Sequence, residues 1–423
     1  MDRKKKKQAA IKSAANVEQQ RKALKARFLE RSKEIITLMG AGVLLEKFNS
    51  LFLDKLYELR YPVLKAKAAP ESEINKTKVV QFNKLLQQFM LDVEIPLANG
   101  IKIPIAWYLS EGMTLRDSIG ELDTQGNSDL EEVKALFSYY SHEGEFHRQL
   151  QELLITLVTD VCTTLSDFDE YIYRSDLSMT PYFAEYNPDN DIMIHAFKPK
   201  KEKVETKKGM RNAIRLGWPS DEFKWLHKNV KPSLLGFNSN GLDVPLALYI
   251  STHTLDRLRE RLNITPGIMH QILLLSFLEP KINHRWNGDK SHVEFRLAGE
   301  KVGYLVVELH GSILMIHTFL FLTNNGTQEG EKLGRLLSVV KEDKKYLEID
   351  TLPAFNAYHI DQNEKLSKLF IEAGCGSLLK LGNLQEFTIN QVADKDPESI
   401  LHYLANAAYF RKQENNLVKR TAE

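Results

Sequence analysis

Cysteine is nearly missing from this chain. Only Cys162 and Cys375 occur among 423 residues, which excludes a disulfide framework and a cysteine-based zinc site and suits a reducing compartment. Long apolar runs are also missing, since none approaches the roughly 20 residues that cross a bilayer as a helix. The basic N-terminus is not followed by an apolar segment, so it does not read as a signal peptide. The Asn325-Gly326-Thr327 sequon then lacks a secretory context and reads as a turn. An excess of charge of one sign is lacking as well. Formal net charge is +1, which excludes polyanion binding through bulk charge. Together these absences predict a cytoplasmic protein with no membrane association.

The charge that is present is uneven. Residues 1–30 carry ten Lys and Arg against three Asp and Glu, so this arm is +7 and the remainder is −6. No Gly or Pro occurs before Gly40. With Ala, Lys, Gln and Leu dominating, the segment is predicted to form a long helix. It can serve as a nucleic-acid or anionic-surface arm, or simply as a solvated basic tail.

The length predicts more than one domain, and the pattern along the chain divides it in four. Residues 1–177 read as a helical domain, with a capping box at Ser128-Asp129-Leu130-Glu131 and a strongly apolar helix over 146–165. Residues 178–240 hold Pro181, Pro188, Pro199, Pro219 and Pro232, and six lysines between Lys198 and Lys208. They read as a loop-rich linker or insertion. Residues 241–345 read as an α+β module, and residues 346–423 as a C-terminal helical segment. There, Asp396-Pro397 is predicted to start a helix running through Tyr403 and Tyr409. HEGEFH, residues 142–147, has one residue too many for a zincin motif, because His142 and His147 stand about 140° apart on a helix.

The module carries the sharpest signals. PLALYI, residues 245–250, reads as a strand, and Ser251 or Thr252 can cap the helix after it. Thr265-Pro266 starts a second helix. Strands are predicted over 291–297, 302–309 and 313–321, with turns at Ala298-Gly299-Glu300 and His310-Gly311. The order is β-α-α-β-β-β with an antiparallel sheet. On the first helix, a rotation of about 100° per residue puts Leu255, Leu258 and Leu262 on one stripe and His253, Arg257 and Arg261 on another. That second stripe is either a solvated face of mixed charge or a phosphate site.

As a site, it would use His253 as a general base and Arg257 and Arg261 as a clamp on phosphate. Six of the twelve histidines fall between His253 and His317. His292, Glu294 and Arg296 share a strand face by period two, and His317 lies mid-strand. These four are candidate substrate-binding residues, and no metal or organic cofactor is implied.

The strand-helix-helix-three-strand order, with His253-x3-Arg257-x3-Arg261 opening the first helix, resembles the RelE/ParE-like toxin superfold over residues 241–345. The resemblance implies RNA binding or metal-independent RNA cleavage by 2′-hydroxyl attack, on free RNA or on the ribosome. The chain departs from small basic toxins in its length and near-neutral charge. Its residues 323–337 also read as a turn and helix where a basic tail often follows. The alternative expectation is a non-enzymatic interaction protein that engages a protein partner through the N-terminal helices.

Overall fold

The structure is a computed structural model that describes residues 2–121, 128–140, 144–179, 190–207, 209–237, 243–278, 280–382, 384, 389 and 392–406. His142 and Tyr409 lie outside the described residues. The chain forms two compact units, Met1–Cys162 with Arg174–Ala196, and Thr163–Tyr173 with Phe197–Glu423. The protein is α+β, and no described helix is long and apolar enough to cross a membrane.

The first unit opens with α1 (Asp2–Leu38). The helix ends where Gly40 adopts φ +78°, with the Ala41 amide bonded back to the Ile36 carbonyl at 3.0 Å, a glycine C-cap. Next come α2 (Ser50–Glu58), β1 (Lys65–Ala68), α3 (Lys76–Asp92), β2 (Glu94–Pro96) and β3 (Lys102–Pro104). The short α4 (Ile105–Trp107), α5 (Met113–Gly120), α6 (Ser128–Ser138) and α7 (Glu145–Leu165) complete the helices. β4 (Ile172–Met179) and β5 (Asn190–Phe197) join β1 in a three-stranded sheet of order β1-β5-β4, and β2 pairs with β3. The segment expected to be a mostly helical domain also holds two small sheets. Their strands, such as KAKA and EIP, are too short to show a period.

The second unit is built on a sheet of eight strands. Residues 178–240, expected as a loop-rich linker or insertion, carry strands that fall in both units. These are β5, β6 (Lys201–Thr206), β7 (Gly209–Arg215), β8 (Gly217–Pro219), β9 (Trp225–His227) and β10 (Asn229–Val230). The physical reason is the position of the prolines. Pro199 precedes β6, Pro219 closes β8 and Pro232 follows β10, so none of these three interrupts a central ladder, while Pro181 and Pro188 lie outside the described residues.

β11 (Leu246–Ser251), α8 (Thr252–Leu262) and α9 (Pro266–Leu275) follow, then β12 (His284–Asn287), β13 (Lys290–Leu297), β14 (Glu300–His310) and β15 (Ile313–Phe321). The strand order is β12-β13-β14-β15-β11-β7-β6, with β10 also on β11. The sheet is antiparallel except where β11 runs parallel to β15, Leu248 opposite Leu314 and Ile250 opposite Ile316. A parallel neighbour needs a crossover, which α8, α9 and the β12–β14 meander supply. The expected module thus gains a short strand, β12, whose residues His284 to Asn287 are largely exposed.

One core joins Leu255, Leu258 and Leu262 of α8 to Leu248, Ile250, Leu314 and Ile316 of the sheet. The residues between them in sequence, Tyr249 and Met315, pack on the opposite face with Val204 and Ala213, as the period of two requires. The chain continues through α10 (Gln328–Leu337), α11 (Lys341–Tyr346), α12 (Leu352–Ala357) and α13 (Glu364–Ala373). Residues 397–406 are helical, and the Asp396 carboxylate accepts from the Glu398 amide at 2.9 Å.

Candidate phosphate-binding hollow

Helix α8 is locked onto β15 at its first turn. The Ser251 hydroxyl caps the helix by accepting from the Thr254 amide at 3.1 Å and donates to the His317 carbonyl at 3.1 Å. Thr254 Oγ1 donates to the Ile316 carbonyl at 3.0 Å. The helix stops at Asn263, which takes φ +53°. Between these points Leu255, Leu258 and Leu262 are no more than 1% exposed, and their packing fixes the direction of the other stripe.

His253, Arg257 and Arg261 line one hollow of about 290 Å³. Thr318, Phe319 and Leu320 of β15 form a second wall. Lys341, Lys344 and Lys345 of α11 form a third, with Asp350 the one carboxylate that lines it. Five cationic side chains and one carboxylate line the hollow, a formal excess of positive charge that Glu260, paired with Arg257, partly offsets.

The cations are not equivalent. Arg257 Nη1 bonds Glu260 Oε2 at 2.6 Å. Arg261 forms an ion pair with buried Asp350, and its Nη1 also donates to the Asp350 carbonyl at 3.1 Å. Lys344 is 2% exposed, and its Nζ donates to Gly330 O at 2.6 Å and Asn325 Oδ1 at 2.7 Å. Burial pushes the Lys344 pKa below the ordinary lysine value. Lys341 and Lys345 are exposed. His253 is exposed and has no hydrogen-bond or ion-pair partner among the described residues. The fourth basic residue of this helix, Arg259, turns elsewhere and pairs with Asp167 at 2.8 Å.

Comparison with family models, curated proteins and solved structures finds no match for this chain.

The four strand residues expected beside the stripe do not line the hollow. Arg296 pairs with Glu294 at 2.6 Å and donates to Gly299 O at 2.9 Å, which closes the β13–β14 turn. His292 is 8% exposed and lies 6.0 Å from the Tyr304 ring. Burial, and then Lys290, lowers its pKa. All three do share a face of β13, opposite the core residues Val293, Phe295 and Leu297. That strand stands two places from β15, about 10 Å away at ordinary strand spacing. His317 lies on β15 but points to a cluster with Glu308 and His310.

Sequence reasoning missed Lys341, Lys344, Lys345 and Asp350. The only local signal was KEDKK, residues 341–345, which looks like any solvated helix face.

Proposed function

We propose that the second unit binds the sugar-phosphate backbone of single-stranded RNA in this hollow and cleaves it with His253 as the base. The observation that supports this reading is the convergence of His253, Arg257 and Arg261 with the lysines of α11, some eighty residues away in the chain, around one recess. At about 290 Å³ the recess is at the lower limit of ordinary ligand pockets. That suits a phosphate with its sugar better than a bulky cofactor. The carboxylates beside Arg257 and Arg261 orient the guanidinium groups without consuming all five N–H donors of each.

In the reaction, His253 takes the proton of the ribose 2′-hydroxyl. The 2′-oxygen bonds to phosphorus, the bond to the 5′-oxygen breaks, and the 5′-oxygen leaves with a proton from solvent. Arg257 and the exposed lysines offset charge growing on the phosphoryl oxygens. The products are a 2′,3′-cyclic phosphate and a 5′-hydroxyl.

One observation favours a non-enzymatic reading. Arg261 is only 12% exposed and already paired with Asp350, so part of the stripe has a structural job that needs no ligand. The two readings separate on incubation of the purified chain with single-stranded RNA, and separately with translating ribosomes, in the presence of a chelator. Cleavage to cyclic-phosphate ends, lowered by roughly 10²–10⁴ in His253→Ala, supports the proposal. Binding without cleavage reduces it to an RNA-binding site. Absence of both refutes it and leaves the interaction-protein reading.

A further inference from the structure

A second constellation stands on β14 and β15, away from the hollow. Glu308 and His310 are two residues apart on β14, so both side chains leave the same face of the strand. Glu308 lies opposite Met315, and His310 opposite Ile313. The register slips between Val306 and Val307, where Val306 pairs with Thr318 and Val307 with Ile316. His317 is the extra residue of that bulge and lies two places beyond Met315, on the face that Glu308 and His310 share.

The three donor atoms converge. His310 Nε2 is 2.7 Å from His317 Nε2. Glu308 Oε2 is 3.4 Å from the first nitrogen and 3.3 Å from the second. The side chains are 5%, 18% and 10% exposed for His310, His317 and Glu308. Among the described residues this is the one group of three such side chains whose ligand atoms meet.

We propose that Glu308, His310 and His317 form a binding site for a single divalent transition-metal ion of the zinc class. Metal–nitrogen and metal–oxygen bonds near 2.0–2.1 Å place neighbouring ligand atoms about 3.4 Å apart at a tetrahedral angle and about 2.9 Å apart at a right angle. Two of the three observed separations fall in that range. The third, between the imidazoles, is a hydrogen-bond distance, and it has to open by about 0.2 Å for a right angle or about 0.7 Å for a tetrahedral one to admit the ion.

Two imidazoles and one carboxylate are a donor set for zinc, copper, iron or nickel rather than for magnesium or calcium. The carboxylate is also held from behind, since Glu308 Oε1 accepts from Lys290 Nζ at 2.8 Å. This is the outer-shell hydrogen bond that fixes a ligand oxygen. Lys207 and Asp289, paired at 2.9 Å, neutralise each other beside the cluster. Three protein ligands leave a fourth position for water or an exogenous donor. The site also ties the two strands of one hairpin together near its turn, so loading should stiffen β14 and β15.

The test uses the full chain, stripped with a chelator, dialysed and titrated with Zn²⁺ by calorimetry and with Co²⁺ by ligand-field absorption. One tight ion per chain is expected, with a higher melting temperature on loading. His310→Ala, His317→Ala and Glu308→Gln should each weaken binding on the order of 100-fold or more, because even outer-shell changes cost about 10–100-fold. His253→Ala should bind the ion as the wild type does. Circular dichroism checks that each variant is folded. If His317→Ala is not, His310→Gln at the strand end carries the test. Wild-type protein without saturable binding, or unchanged affinity in folded His310→Ala and His310→Gln, overturns the site. RNA cleavage at the hollow is indifferent to stripping, so failure of either proposal leaves the other standing.

Discussion

Thr254 reaches from the first turn of α8 to β15, its Oγ1 donating to the carbonyl of Ile316 at 3.0 Å in a fully buried position. That one bond, with the Ser251 cap beside it, sets where His253 and Arg257 stand relative to the strand. Thr254→Val keeps the shape and removes the donor. It should destabilise the unit by about 1–3 kcal/mol, the cost of stranding a buried acceptor, while Thr254→Ser should lose less. Urea unfolding of both variants checks this. Equal stability of Val and Thr would mean that the Ser251 cap and packing hold the helix start without this bond.

The faces of α8 can be tested independently of function. Leu258 is 0% exposed, so Leu258→Ala should cost about 2–5 kcal/mol. The Arg257–Glu260 pair is a one-turn surface contact, worth about 0.3–0.5 kcal/mol, so Arg257→Ala should hardly alter stability. A costly Arg257→Ala would show that its ion pair holds the fold, and would remove the hollow's simplest probe.

Arg261 behaves differently. Its partner Asp350 is 6% exposed, and Arg261→Ala strands that carboxylate. The loss should approach the roughly 3–5 kcal/mol of a broken buried pair. The double change Arg261→Met with Asp350→Leu should recover much of it. Thermal melts of the single and double variants decide, and similar melts for both would place Asp350 in contact with water. For this reason a loss of RNA binding in Arg261→Ala alone says little about the site, whereas Arg257→Ala is informative.

How much of this was legible in the sequence follows from the range of each interaction. The order β11-α8-α9-β13-β14-β15 could be read because alternation and the leucine stripe are local. The direction of the His253 stripe followed from the same geometry. β6 and β7 were not legible. KEKVET lies at the sheet edge with half of its side chains exposed, both lysines among them, and lysines on an edge strand look like those of a loop although they guard against edge pairing. The lysine wall of the hollow depends on α11 folding back beside α8, and nothing in KEDKKY reports that. Alternation puts Glu308, His310 and His317 on one face of the hairpin, but their approach across it depends on the register of β14 against β15, which no spacing reports.

His270 gives a pH signature. Its ring is stacked on Phe168 at 4.5 Å, and Nε2–H donates to Gly217 O at 2.8 Å. Burial lowers its pKa to about 4, against about 6.5 in an unfolded chain. The folded state therefore resists a proton that the unfolded state accepts. Its stability contribution is intact above pH 6.5 and is lost as pH falls from about 6.5 to about 4, by up to about 3 kcal/mol. His270→Gln keeps a donor for Gly217 and cannot titrate. Unfolding free energies across that window should fall less steeply in the variant, and parallel curves would assign the acid sensitivity to other groups.

The electrostatics of the hollow make a prediction that separates it from the basic N-terminal arm. Binding of single-stranded nucleic acid releases counterions, and log K falls with log salt at about 0.7 per neutralised phosphate. Lys341 and Lys345 are exposed on the wall of the hollow, so replacing both by Ala should reduce the magnitude of the slope by about 1.4 and weaken binding similarly for unrelated sequences. Arg257→Ala should remove about 0.7 more and also slow cleavage, because it would touch phosphate in both ground and transition states. Deleting residues 2–30, which hold ten basic residues, should leave these differences unchanged even if it lowers the overall slope. The alternative is equally sharp. If the deletion abolishes the salt dependence and the α11 substitutions do nothing, the arm is what contacts nucleic acid. The cations around His253 are then a self-compensated face, held in place by Glu260 and Asp350.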